Sequence, residues 1–297
     1  MVASAISELS ASKTPTWVAA GYFKDAVQIW DVSSRVKVTE FPTDYCSGAR
    51  NLAFAPSAQI VVAGLSTDHG KVTAYEVPSG KPLWEQKLAY PSLLRFDLSG
   101  ESVLCSSADR SSFRLDVQTG VIIQKIEGVS HYFEGPYGDI LSVPARNRNG
   151  AFRLVSRGHN FEVARRSFAL LDAQFSPDSI CLSEAVGPVR CINCTDGTER
   201  WRFDPGADSH VLRLHYSSGM DAFFGVLRHL GKGGSRQLVR FETQSGIHSR
   251  ICDLDSWDEV FLDTIDQLVT SAGEIRNLLN GVLVDRLAFP VREYPGD

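Results

Sequence analysis

Positive charge is in short supply in this chain. Its 35 acidic residues outnumber 30 lysines and arginines, leaving a formal charge of -5. Nucleic-acid affinity rests on clustered cations that displace counterions, so no general nucleic-acid binding is expected. Long hydrophobic runs are missing too: no apolar stretch approaches the roughly 20 residues of a membrane-spanning helix. The opening residues, MVASAISELSASKTPTW, have neither a basic flank nor the continuous apolar segment of a secretory leader. Together these predict a cytoplasmic chain that does not engage a membrane. Cysteine is sparse as well, and the six (Cys46, Cys105, Cys181, Cys191, Cys194, Cys252) fall mostly in apolar, strand-like segments. A thiol there behaves as a small hydrophobe in a reducing compartment, so disulfides are not expected. Helical periodicity is weak from end to end.

What is present is core material and punctuation. With 43% hydrophobic and 22% charged residues over 297 positions, the chain can bury a large core, which excludes disorder. Turns of related composition recur: DVSSR (31–35), EVPSGK (76–81), DVQTGV (116–121), NCTDGTE (193–199), ETQSGI (242–247) and NLLNGV (277–282). Alternating segments such as KVTAYEV, SFRLDV and QLVRFE precede these turns, and PLWEQKL, VIIQKI and TERWRF follow them, so each turn reads as the tip of a hairpin. The turn glycines recur at roughly 35 to 50 residues, with a double interval between Gly120 and Gly197 that conceals one further unit. Two more strands stand upstream of each hairpin, as in ARNLAFAPSAQIVVAGLS and FALLDAQFSPDSICLSEAV, giving four strands per unit.

The units are placed at 2–43, 49–88, 92–127, 129–167, 168–206, 209–254 and 257–290, within a single domain covering 1–297. Residues 2–10 (VASAISELS) either open the first unit or complete the last one.

Phe54-Ala55-Pro56, Phe175-Ser176-Pro177-Asp178 and Asp97-Leu98-Ser99-Gly100 resemble the turn after the innermost strand of WD40 repeats, and Trp30-Asp31 resembles their terminal dipeptide. Ser79-Gly80 followed by Trp84, and Asp196-Gly197 followed by Trp201, resemble the glycine-then-tryptophan spacing of quinoprotein-type repeats, whose indoles dock between blades. Gln124 and Arg250 stand where other repeats would carry that tryptophan. The resemblance implies an all-β fold, a single seven-bladed β-propeller of four-stranded antiparallel blades. Each blade exposes a flank until the next packs on it, so a ring buries both faces and leaves only short edges.

Catalytic patterns are weak. Cys191-Ile192-Asn193-Cys194 has the spacing of half a zinc site or a redox dithiol, but no second ligand pair lies nearby and the motif straddles a strand end. The seven histidines show no metal-ligand spacing beyond the loose pair His210 and His215, which strict strand alternation puts on opposite faces. His131 and His210, each at the start of an innermost strand, are the pair that would converge at a propeller axis. There is no Gly-x-Ser-x-Gly elbow, and Gly231-Lys232-Gly233-Gly234-Ser235 lacks phosphate-loop spacing. Asp255, Asp258 and Glu259 read as solvated charge in one local turn. No catalytic residue, cofactor or metal is assigned.

A binding surface is better supported. Connections between blades, and those from second to third strands, gather on one face of such a fold. They bring Tyr45, Arg50, Tyr90, Arg110, Tyr132, Arg146, Arg148, Arg165, Arg166, Trp257 and Asp258 to that face as partner-binding candidates. Tyr, Trp and Arg combine large buried area with directional polar groups, which is what interface anchors need; the same residues would also serve to cover blade edges. Arginines near the fourth blade and acids at the sixth-to-seventh junction make the face two-signed, which suits a protein partner. The expectation is a monomeric, non-enzymatic protein-binding propeller acting as scaffold, adaptor or stoichiometric inhibitor, an immunity protein against a toxin being one form. The alternative is an enzyme or small-ligand binder that uses the axial pocket.

Overall fold

The computed structural model describes residues 3–4, 6–13, 16–22, 26–42, 52–65, 70–89, 91–97, 99–107, 111–144, 151–165, 170–185, 187–230, 234–255, 259–262, 266–289 and 292–293. Every regular element among them is a β-strand. Seven four-stranded sheets form, each an antiparallel meander of consecutive strands, running 6–42, 52–87, 92–127, 129–165, 170–203, 209–254 and 259–286. The fold is a seven-bladed β-propeller.

Within a blade, burial falls from the inside outward. The second strands Ser102–Ser106 and Ser179–Glu184 are buried at every residue, each with a paired strand on either side. They read accordingly as short apolar runs rather than as alternation. The fourth strands Ile122–Glu127 and Leu283–Arg286 are mostly exposed, one edge being unpaired.

The recurring turns close by one rule. The carbonyls of Asp31, Glu76, Asp116, Asn193, Glu242 and Asn277 accept the N–H four residues on, from Arg35, Gly80, Gly120, Gly197, Gly246 and Gly281, at 2.8–2.9 Å. The side chain of the first residue organises the same turn. Asp116 accepts from the amides of Gln118 and Thr119 and from the Thr119 hydroxyl, and Asp31 does the same with Ser33 and Ser34. Blade 4 alone departs from this plan, turning on Arg157 and Gly158 between Ser156 and His159. All seven third-to-fourth strand pairs carry a register shift, a bulge that twists the outer strand.

The described chain divides into two compact units, residues 1–128 with 256–276 and 283–297, and residues 129–255 with 277–282. In the first unit the strand Ile6–Ala11 pairs with Trp17–Tyr22 as the innermost strand of blade 1, so the opening residues do not complete the last blade. Ala3–Ser4 instead pairs with Arg292–Glu293, tying the two ends of the chain together. Leu9, Val18, Tyr22 and Trp30 of blade 1 pack with Leu262, Val269, Ile275 and Leu287 of blade 7, and Trp30 meets Phe289 edge-on at 5.5 Å. At this junction Arg35 takes the left-handed position that glycine fills in other turns, and its guanidinium pairs with Asp285. In the second unit Asp172 is buried on the innermost strand of blade 5 and accepts the Leu214 amide at 2.9 Å, where the innermost strand of blade 6 bulges.

Candidate functional site

Blade docking accounts for most of the aromatic residues on the outer strands. Trp84 packs against Gly120 and donates its indole N–H to the Val117 carbonyl at 2.7 Å; Trp201 packs against Gly246 and donates to Thr243 at 2.9 Å. In both pairs the ring belongs to one blade and the turn to the next. Phe41 under Gly80 and Phe161 under Gly197 make the same contact. Under Gly281 the contact comes from Cys252 with Ile251, while Arg250, at the position read as a substitute for tryptophan, pairs with Asp253. In this blade the bulge falls between Leu238 and Val239, so Arg250 stands opposite Val239 and Cys252 opposite Leu238, two neighbours that face opposite ways, and it is Cys252 that meets Gly281.

Residues 24–124 match the family model described as outer membrane protein assembly factor BamB. The match spans one part of the chain, and with the docked indoles and seven four-stranded blades it supports a quinoprotein-like propeller superfamily. No curated protein matches the chain.

Antiparallel register decides which connections of a blade share an end. In blade 6, Ser209 lies opposite His229, Arg228 opposite Arg236, and Arg236 opposite Leu254. The start of the first strand, the end of the second, the start of the third and the end of the fourth therefore meet at one end of the blade. Of the partner-binding candidates, Tyr45, Arg50, Tyr90, Arg110, Arg146, Arg148, Arg166, Trp257 and Asp258 lie outside the described residues. Arg165 is the last residue of the fourth strand of blade 4. Tyr132 sits inside the first strand of that blade, half-buried and opposite Ser142, rather than in the connection before it. The strand starts at Val129, directly after the Gly128 turn, which leaves no loop for Tyr132 to occupy.

Charge at the described ends of the second unit is organised into local sets. Arg202 holds Glu199 through two bonds of 3.0 Å, and Arg190 lies 3.7 Å from Glu184 and 3.6 Å from Glu199 while donating to the Val163 carbonyl of blade 4. Burial pushes the Glu184 carboxyl up, with Arg190 and Arg202 pulling it back in part. Asp178 binds Arg200 through both oxygens, at 3.3 and 3.1 Å. Burial alone would raise its carboxyl, but the Arg200 bond and charge and the hydroxyls of Ser179 and Ser176 hold it below the ordinary value.

The cysteine motif lies in protein interior. Cys191 belongs to the third strand of blade 5, opposite Cys181, and Cys194 opens the following turn; all three are buried. Burial pushes Cys191 up to about 11 and Cys194 to about 12, and raises Cys181 well above its ordinary value, with the neighbouring Cys191 adding to it. Thiols so far from ionisation are poor nucleophiles and poor metal ligands at neutral pH. Among the described residues no group of three or more His, Cys, Asp or Glu stands close enough to hold a metal ion.

The two histidines of blade 6 correct the sequence reading. A bulge between Val211 and Leu214 inserts an extra residue, so His210 faces Arg228 while His215 faces Phe224. Arg228 and Phe224 are four apart on a regular strand, so the two imidazoles share a sheet face instead of lying on opposite ones. They are about 13 Å apart along it, too far to ligate one ion. His131 is bonded to Ser130 through Nδ1 at 2.9 Å and stacks on Phe133. Nothing in the bare sequence marks the bulge, which is why alternation misplaced this pair.

Proposed function

We propose that this chain is a non-catalytic protein-binding propeller of the cytoplasm, acting as scaffold, adaptor or stoichiometric inhibitor and monomeric on its own. The observation that carries the reading is the match of residues 24–124 to a repeat model named for an assembly factor, a protein described by its work on other proteins. Two features agree with it. The repeated turns and indoles are consumed in holding blades together, which leaves the connections to meet a partner. In the sequence these connections are rich in Tyr, Trp and Arg, the residue types of interface anchors. An immunity protein that blocks a toxin is the narrower form of the proposal.

The test compares pull-downs by the purified full chain and by the variant Tyr90→Ala, Trp257→Ala, Arg148→Glu from the native lysate, with folding of both checked by circular dichroism. A stoichiometric protein partner captured by the wild type and lost by the folded variant is expected. Equal capture by both, or co-purification of a small molecule in place of a protein, would remove the proposal. Fractionation of the native cells tests the compartment in the same preparation, an envelope fraction arguing against the cytoplasm.

A further inference from the structure

In the turns of blades 2, 3, 5, 6 and 7 the residue before the glycine adds a cap of its own. Ser79 Oγ accepts the Lys81 amide at 3.2 Å, Thr119 Oγ1 the Val121 amide at 3.3 Å, and Asp196 Oδ1 the Thr198 amide at 2.9 Å. Ser245 Oγ accepts the Ile247 amide at 3.1 Å, and Asn280 Oδ1 the Val282 amide at 3.0 Å. Each cap folds a side chain over the peptide bond to the glycine, because it reaches to the amide two positions on. A hydroxyl in that place is inert. Asp196 is ionised, its carboxyl lowered by the Thr198 hydroxyl and amide, and a carboxylate repels a nucleophile. Asn280 differs in kind. Its uncharged carboxamide offers an electrophilic carbon, and Gly281 has no side chain to shield the neighbouring backbone nitrogen.

We infer that Asn280 is a self-modification site, at which deamidation yields isoaspartate and undoes the docking of Gly281 on Cys252. Hydroxide removes the Gly281 amide proton, and the nitrogen attacks the side-chain carbonyl carbon of Asn280. The new C–N bond closes a succinimide ring, the bond to the side-chain NH2 breaks, and ammonia leaves with a proton from water. Water then opens the ring at either carbonyl to give aspartate or isoaspartate; no oxidant or reductant takes part. Charge develops during the addition on Asn280 Oδ1, where the Val282 N–H already points, as in an oxyanion hole. The Gly281 N–H is bonded to the Asn277 carbonyl at 2.9 Å, so the step waits on local opening of the turn. Asn280 is exposed, which admits water to the ring. Gly281 is buried at φ +70, and a Cβ there would stand 2.6 Å from Cys252 Cβ and 2.8 Å from its Sγ. Isoaspartate lengthens the backbone by a bond of about 1.5 Å immediately before this contact, which is too close-packed to absorb it. The inference does not rest on the function proposed above and needs no protein partner.

The full chain is held at neutral and at mildly alkaline pH beside Asn280→Ser, which carries the residue that blades 2 and 6 use before their glycines. Peptide mapping with fragmentation locates any exchange of NH2 for OH, and isoaspartyl methyltransferase with a labelled methyl donor counts isoaspartate. The rate at which half-buried Cys252 takes up iodoacetamide reports the docking. Conversion of Asn280 in the folded wild type is expected, faster at the higher pH, with Asp196 unchanged over the same period. Aged wild type should then label at Cys252 several-fold faster than fresh protein, while aged Asn280→Ser keeps the fresh rate. An Asn280 that stays intact in the folded chain for the time in which the urea-unfolded chain converts overturns the inference. Conversion that leaves Cys252 labelling equal to that of aged Asn280→Ser overturns it as well.

Discussion

The contact between Trp201 and Gly246 allows the blade-docking argument to be tested quantitatively. Trp201 is 8% exposed, stacks on Phe241 at 5.7 Å with 14° between the rings, and bonds the Thr243 carbonyl. Removing it as Trp201→Ala costs about 3–5 kcal/mol, the range for emptying a buried aromatic site. Gly246 has φ +68, and a Cβ added there would stand 2.6 Å from Trp201 Cγ and 2.7 Å from Cδ2. Gly246→Ala therefore carries two costs, about 1–2 kcal/mol for an L-residue in the left-handed region and about 1–3 kcal/mol for overpacking. The indole cannot retreat, because Phe241 stacks on it. With Trp201→Ala already made, the overpacking disappears and only the backbone cost remains. The two changes should then fall short of additivity by about 1–3 kcal/mol, the coupling expected of residues in contact. Urea denaturation of the four proteins, followed by far-UV circular dichroism, measures this directly. Additivity within about 0.5 kcal/mol would refute the claim that this glycine is required by the indole.

The remaining predictions concern acid and thiols. Asp97 accepts from Ser102 Oγ at 2.7 Å, from Ser99 and from the Glu101 and Ser102 amides, and these bonds outweigh burial to hold its carboxyl below the ordinary value. A depressed folded pKa stabilises above the unfolded pKa and loses that contribution as pH falls through the folded value, so melting temperature should drop below about pH 4. Asp97→Asn should flatten part of that slope, and an unchanged slope would count against the bonding scheme. Asp31, Asp116, Asp178 and Asp196 are depressed in the same direction and should contribute alike. Cys181, Cys191 and Cys194 should resist a thiol reagent such as dithionitrobenzoate in the native state and react once urea unfolds the chain. Rapid native labelling, located by mass spectrometry, would show that their surroundings are more open than the fold implies.

Much of this was legible in one dimension because turn chemistry is local. The Asp, Asn or Glu that opens each turn and the residue that closes it, Arg35 in blade 1 and glycine in five others, act within five residues, and six of the seven blades carry such a turn. Blade 4 lacks it, and its two-residue Arg157-Gly158 turn was readable only as a gap in the period. The docking ring was legible where it is tryptophan, at Trp84 and Trp201. Phe41, Phe161 and Cys252 were missed because which fourth-strand residue meets the next blade depends on a bulge and on a neighbour distant in sequence.

The amino-acid sequence by itself determined a succession of four-stranded hairpin units, since alternation, turn residues and spacing are properties of short segments. Only the tertiary structure decided which side chains share a face. One inserted residue between Val211 and Leu214 reverses strand parity and brings His210 into line with two arginines, and a parity change of that kind is set by hydrogen-bond register between strands, not by residue type.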